Sequence, residues 1–185
     1  MVARTGPQDG YRLDMSATLA AVDQAAVLWL CAPNNPTGTP EAREDLTAVL
    51  DAGAALPGGG PAIVVDEAAT CGMGIFPATL QAPRHDWLTL TGGAIGYGLP
   101  AALGAAIACP DRKVVALQAD GSAMYTNQAL WSLAREDCDV TVVVLKNDAY
   151  AVLNVELARV REGDATAKMQ SMLDLDRPTI DWVHI

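Results

Sequence analysis

Aromatic residues, basic clusters and histidines are all scarce in this chain. Aromatics make up 5% of the 185 residues, with a single Phe. That scarcity argues against an all-β sandwich. With about half the residues hydrophobic, and Ala and Gly abundant, the composition suits an α/β protein with close helix–sheet packing. Lys and Arg number 12 against 22 Asp and Glu, for a formal net charge of −10. A general grip on nucleic acid needs clustered basic residues, and none are present. The acidic balance favours solubility, and it leaves any bound diphosphate to be neutralised locally, by a metal ion and backbone N–H groups. The only histidines, His85 and His184, are far from ligand spacing, and Cys31, Cys71, Cys109 and Cys138 form no CxxC pair. Zinc is therefore not expected, and the cysteines read as small apolar residues of a reduced compartment. The start of the chain lacks the apolar core of a signal peptide, and no apolar run reaches membrane-spanning length. A cytoplasmic protein without membrane or nucleic-acid partners is the expectation.

What is present is a series of short apolar runs separated by loop signals. Before residue 53 the pattern reads as a short helix from Ser16 to Val22, a strand from Ala25 to Leu30, a loop at Pro33–Gly38 and a helix from Pro40 to Ala52. Gly53 to Pro61 is rich in Gly and Pro and marks the expected boundary between a segment 1–60 and a domain 61–185. In that domain Ile63–Val65 forms a strand ending at Asp66-Glu67, residues 70–86 are irregular, and Trp87 to Thr91 is a short strand running into Gly92-Gly93-Ala94-Ile95-Gly96. Leu99 to Ala108 is a helix of small residues. Val114 to Gln118 is a strand leading into the loop Ala119-Asp120-Gly121-Ser122, and Asn127 to Glu136 is a helix. Val140 to Leu145 is a strand ending at Lys146-Asn147-Asp148, followed by a helix over Ala151 to Val160 and a polar tail from Arg161.

Continuous apolar strands alternating with helices are the pattern of a parallel sheet covered by helices on both faces. Ligands of such sheets sit beyond the C-terminal strand ends. Asp66-Glu67, Gly92-Gly93, Asp120-Gly121-Ser122 and Asn147-Asp148 all fall there, and their coincidence at one edge points to a site. Gly121 allows close backbone approach, and a helix start favours an anion. Asp120 would repel that anion unless a hard dication lay between them. Magnesium takes a carboxylate or amide oxygen or two from the protein and further oxygens from a phosphate. Asn147, one helix and one strand later, supplies the second donor, and a backbone carbonyl near Ala149 a third. Taken singly, Asp120 and Asn147 are ordinary turn residues; it is their spacing after two apolar strands that turns them into a candidate site.

Ala119-Asp120-Gly121-Ser122, with Asn127-Gln128-Ala129-Leu130-Trp131 and Lys146-Asn147-Asp148-Ala149-Tyr150, resembles the thiamine-diphosphate signature, which opens Gly-Asp-Gly-Ser and closes with paired Asn. Thr91-Gly92-Gly93-Ala94-Ile95-Gly96 with Gly98-Leu99-Pro100 resembles the glycine-rich segment that precedes it in acetolactate-synthase-like and benzoylformate-decarboxylase-like enzymes. Across residues 62–185 the resemblance implies a thiamine-diphosphate-binding α/β fold, truncated at the C-terminus. It implies Mg²⁺ held by Asp120, Asn147 and the Ala149 carbonyl. It further implies a diphosphate against Gly121, Ser122 and Ala123, an aminopyrimidine ring against Gly92, Gly93 and Ala94, and Tyr150 at the cofactor site. Two positions depart from the signature: Ala119 for the first Gly, tolerable at negative φ, and Lys146 for the first Asn.

The substrate implied is a small 2-oxo acid, and the assembly a homo-oligomer. Leu99 to Ala108 offers a surface able to pack against another subunit. The family draws its activating glutamate from a separate pyrimidine-binding domain, for which 185 residues leave no room. A partner supplying that domain, or cofactor binding without turnover, follows from this.

The first 60 residues resemble something else. Tyr11-Arg12-Leu13-Asp14 and Leu28 through Thr39 are similar to class I/II pyridoxal-phosphate aminotransferases, especially histidinol-phosphate aminotransferase. There Asn35 would face the cofactor's ring hydroxyl and Asp66 its pyridine nitrogen. Ala69 stands where that family has Tyr, and the Schiff-base lysine segment is absent. The alternatives to a thiamine-diphosphate domain are accordingly an aminotransferase remnant or an inactive chimera joined near Val64–Ala68.

Overall fold

The computed structural model describes residues 60–160 and 165–182. The helices and strand expected before residue 53, the boundary loop up to residue 59, and the aminotransferase-like motif at Pro33–Gly38 lie outside the described residues.

Four parallel strands make the sheet: β1 (Ile63–Glu67), β2 (Asp86–Thr89), β3 (Val114–Ala119) and β4 (Val140–Leu145), in the order β2-β1-β3-β4. The fold expected from the sequence, a parallel α/β sheet, is the one observed. Every residue of β3 and β4 is buried, as strands covered on both faces require. The edge strand β2 is mostly exposed, which the apolar reading of Trp87 to Thr91 did not anticipate, and it starts one residue earlier, at Asp86. Helix α1 (Gly98–Ala108) follows β2, the single turn α2 (Asp120–Ala123) follows β3, and α3 (Gln128–Arg135) and α4 (Ala151–Val160) come after.

The expected loop at Ala119–Ser122 is thus corrected. Ala119 is extended at φ −74° and ψ 147°, and the chain enters a helical turn at Asp120. The negative φ removes any need for glycine at this position. The stretch 70–86 is likewise less irregular than its sequence suggests. It holds short helical turns at Ala69–Gly72, Ile75–Ala78 and Thr79–Gln81, and Ala167–Gln170 forms another within the polar tail. Elements this short lack the periodicity by which a helix is read from sequence.

On one face, Ile63 and Val65 of β1, Val114 and Ala116 of β3 and Val140, Val142 and Val144 of β4 pack against Leu99, Ala102 and Ala106 of α1. Ala129 and Leu133 of α3, together with Trp182, complete that core. Small residues along α1 permit the close approach. The outward positions Pro100, Gly104, Ile107 and Ala108 are exposed.

Connections fix where a ligand can sit. After β1 the chain turns outward to β2; after β3 it turns the other way to β4. The strand order reverses between β1 and β3, and the C-terminal ends of those two strands are Glu67 and Ala119, paired in register through Glu67↔Gln118. A crevice at such a reversal is the usual binding position in open parallel sheets.

Candidate functional site

Asp120 directly follows β3 at this reversal and is fully buried. The pairing Ala119↔Leu145 carries the end of β4 alongside it, so Lys146–Asp148 forms the neighbouring loop. One carboxylate oxygen of Asp120 accepts the N–H of Gly121 at 3.0 Å, and the other accepts the N–H of Asp148 at 2.8 Å. Burial pushes the Asp120 carboxyl above its ordinary value of 3.8, while the N–H groups of Asp148, Gly121 and Asn147 pull it back. Among the described residues no ion pair involves Asp120. Each oxygen retains lone-pair capacity after one N–H, so the carboxylate is a buried charge with room for a cation.

Asn147 is half-buried. Its amide oxygen accepts the N–H of Ala149 at 3.1 Å, the local turn that Asn side chains favour. Ala149 forms an antiparallel bridge with Asp174, closed by Tyr150 N–H to Leu173 O at 2.8 Å and Leu175 N–H to Asp148 O at 2.6 Å. Those bonds flank Ala149 and leave its own carbonyl outside the ladder. Asp148 has a φ of +53°. Its side chain accepts from Thr179 Oγ1 at 2.7 Å and from Lys146 Nζ, which also reaches Thr179 Oγ1 at 2.8 Å. The departure to Lys146 therefore has a structural use: it ties Thr179 to Asp148 across the loop.

Tyr150 lies over the Asp120 turn. A Cβ on Gly121 would sit 2.7 Å from its Cε1 and 3.2 Å from Leu175 Cδ1, so any larger residue here would have to displace these two side chains. Burial, followed by Tyr125 and Asp120, pushes the Tyr150 phenol up. Ser122 is buried. Its hydroxyl accepts from Gln118 Nε2 at 2.6 Å and donates to the Ala119 carbonyl at 3.0 Å, which leaves its backbone rather than its hydroxyl turned to any ligand. Ala123 packs in the core beneath. Gly92, Gly93 and Ala94 are exposed. Gly92 and Gly93 have φ of +69° and +71°, and a Cβ on either would meet nothing within 4 Å. This is a left-handed loop with open space before it.

Glu67 and Gln118 received no specific role from sequence. Glu67 is 1% exposed. Its Oε1 accepts the N–H groups of Gly96 and Tyr97 at 2.6 and 2.9 Å; its Oε2 accepts Gly98 N–H at 2.9 Å and Gln118 Nε2 at 2.7 Å. A Cβ on Gly98 would stand 2.3 Å from Gln118 Oε1. The available signal was the carboxylate pair Asp66-Glu67 ending an apolar strand some thirty residues before a glycine-rich helix start, and nothing local connects the two. Asp66, on the opposite face, accepts from Ala68 N–H at 3.0 Å, and burial raises its carboxyl. Cys71 is pushed up to about 11, mainly by burial and then by Asp120. Cys71, Cys109 and Cys138 are free thiols. No group of three or more His, Cys, Asp or Glu able to hold a metal occurs among the described residues. A cation at Asp120 would accordingly rely on amide and carbonyl oxygens as well.

Residues 71–185 match the family described as thiamine pyrophosphate enzyme, C-terminal TPP binding domain. A Mycobacterium tuberculosis protein whose name marks it provisionally as acetolactate synthase large subunit IlvX is 56% identical over 157 residues, covering 83% of this chain and 29% of that protein. An alpha-keto-acid decarboxylase of Mycobacterium avium is 55% identical over 60 residues, 32% of this chain and 11% of its own length. Among solved structures, the thiamine diphosphate-dependent 4-hydroxybenzoylformate decarboxylase of Rhodococcus jostii superposes with a TM-score of 0.58 at 32% identity, covering 80% of this chain and 26% of that one. The chain spans less than a third of the length of these relatives. The match to IlvX is longer than the stretch from Pro61 to Ile185 and so takes in part of the N-terminal segment. The aminotransferase resemblance read there finds no support. No described helix is long and apolar enough to cross a membrane.

Proposed function

The chain belongs to the thiamine pyrophosphate enzymes through their C-terminal TPP-binding domain, and on that premise we propose that it binds thiamine diphosphate through Mg²⁺ at Asp120. The observation that carries this reading is the buried Asp120 carboxylate at the sheet reversal, held by two N–H groups and no described cation. The donor set fits a hard ion: a carboxylate, the Asn147 amide oxygen and the Ala149 carbonyl are all oxygens. The Gly121 backbone and the N–H groups of Ser122 and Ala123 would face the diphosphate, and the open loop Gly92-Gly93-Ala94, left-handed at its two glycines, the aminopyrimidine ring. Tyr150 would close the metal loop against the turn and help to exclude water.

When bound, thiamine diphosphate supplies an electron sink for cleavage beside a carbonyl. Two relatives are named for decarboxylation of keto acids, and this supports a 2-oxo acid as the substrate class. The other parts of the proposal are a homo-oligomer, or a partner contributing the pyrimidine-binding domain, and a cytoplasmic location. Asp120 and Asn147 would hold the ion, and the glycine loop would orient the ring. Activation of the ring is left to a glutamate outside the described residues.

Calorimetric titration of the full chain with thiamine diphosphate, with and without Mg²⁺, tests the reading. Mg²⁺-dependent binding that disappears in Asp120→Ala is the expected result. Binding indifferent to Mg²⁺ or to that substitution would overturn it.

A further inference from the structure

Glu67 precedes the residues that match the family, which begin at Cys71, and the function proposed above gives it no part. Its bonds nevertheless run between the two segments assigned to opposite ends of the cofactor. On one side it takes the N–H groups of Gly96, Tyr97 and Gly98, where the glycine loop enters α1. On the other it takes one N–H of Gln118 Nε2, whose amide nitrogen also bonds Ser122 Oγ in the Asp120 turn. Gly96 is gripped from its other side as well. Its carbonyl accepts Thr126 Oγ1 at 3.1 Å, and the Thr126 N–H bonds Ala123 O at 3.3 Å. Gly96 has a φ of +95°, and a Cβ there would be 3.0 Å from Tyr125 Cβ.

Capping α1 needs less than this. A cap satisfies the first N–H groups of a helix with a side chain from the turn before it. Tyr97 offers no such side chain, and the acceptor comes instead from a strand 29 to 31 residues earlier. The acceptor also reaches Gly96, a left-handed residue before the helix. The bonded path passes from Gly96 through Glu67 and Gln118 to Ser122, and a second path passes from Gly96 through Thr126 to Ala123. Both end in the turn that carries Asp120.

We propose that Glu67 and Thr126 are positioning residues that hold the Gly92–Gly96 loop in fixed register with the Asp120–Ala123 turn, so that one thiamine diphosphate is gripped at its ring and its diphosphate together. This rests on the function proposed above. It requires that loosening Gly96 weaken the hold on the ring and spare the hold on the diphosphate.

The full chain, Glu67→Gln and Thr126→Val are titrated in Mg²⁺ with two ligands, thiamine diphosphate and inorganic pyrophosphate. Glu67→Gln places an NH₂ against N–H donors and risks the fold. Thr126→Val removes a single hydroxyl bond and carries the test if the first variant does not fold. Both variants are expected to keep pyrophosphate affinity within about twofold while thiamine diphosphate weakens about tenfold, the effect of losing one well-placed hydrogen bond. Parallel loss of both ligands, which a merely structural role would give, overturns the positioning role, as does no loss of either. A parent chain that binds neither ligand overturns the function proposed above and this inference with it. A parent that binds thiamine diphosphate while the variants fail to separate the ligands overturns this inference alone.

Discussion

Two carboxylates stand at the same sheet edge on adjacent strands, and both are shut off from solvent: Glu67 at the end of β1 and Asp120 just past β3. Glu67 has four donors, three of them backbone N–H groups where the glycine loop enters α1. Asp120 has two well-formed bonds, from the N–H groups of Gly121 and Asp148, with the Asn147 N–H a weaker contributor to its charge. A buried charge is tolerated to the extent that hydrogen bonds or opposite charge replace water. By that measure Glu67 is complete within the described residues, and Asp120 is a charge whose burial raises its carboxyl. The first is suited to hold the framework rigid, and the second to take a cation.

Removing each acceptor should expose that difference most strongly. Glu67→Ala strands three backbone N–H groups and an amide in the interior, at a cost of about 3 kcal/mol or more. Urea denaturation should show a large fall in midpoint, or no folded protein. An unchanged midpoint would mean that the Glu67 network is not what holds the start of α1.

The glycines beside each carboxylate sharpen the contrast. In Gly98→Ala the new methyl meets Gln118 Oε1 at 2.3 Å and Glu67 Cβ at 2.9 Å, on side chains that the Gln118 Nε2 bonds to Glu67 and Ser122 hold in place. In Gly121→Ala it meets the edge of the Tyr150 ring and a Leu175 methyl, which can shift. Overpacking costs about 1–3 kcal/mol. Gly98→Ala should fall at the upper end and Gly121→Ala at the lower in the same denaturation assay, with Tyr150→Ala partly rescuing the second.

The pH dependence comes next in size. Because burial raises the Asp120 carboxyl above 3.8, its contribution to stability is full below that pH and is lost as pH rises through the folded-state value. Asp120→Asn removes the charge but turns an NH₂ toward one of the two N–H donors, so in metal-free protein it should flatten the pH slope at some cost in stability, and Mg²⁺, which favours the ionised form, should reverse the slope of the parent. Melting curves across pH with EDTA or with Mg²⁺ would show it. Identical profiles for parent and variant would remove Asp120 as the under-compensated charge.

The smallest effect belongs to the loop clasp. Lys146 and Asp148 are 14% and 34% exposed, so Lys146→Ala should cost up to about 1 kcal/mol and lose that cost at high salt. A salt-independent loss would point to packing instead.

Much of this was legible because parallel strands buried on both faces write themselves as unbroken apolar runs. Val114 to Gln118, Val140 to Leu145 and the helix Ala151 to Val160 were found within a residue of their observed ends. The short turns at Ala69–Gly72 and Ala167–Gln170 were not found, because four residues carry no period. Asp120 and Asn147 stood out as polar residues within two positions of the ends of apolar strands, and the register of β3 on β4 brings their loops together. Glu67 was seen as an oddity without a partner, since its donors lie 29 to 31 residues away and at Gln118.

The sequence by itself determined the order of the four strands and the longer helices among the described residues, the parallel class of the sheet and the residue types that can meet a hard cation, because each of these follows from local pattern and side-chain chemistry. Only the tertiary structure decided which carboxylate is satisfied. Hydrogen-bond partners depend on strand order and register, and the reversal between β1 and β3 is what gathered four donors around Glu67 and left Asp120 with two.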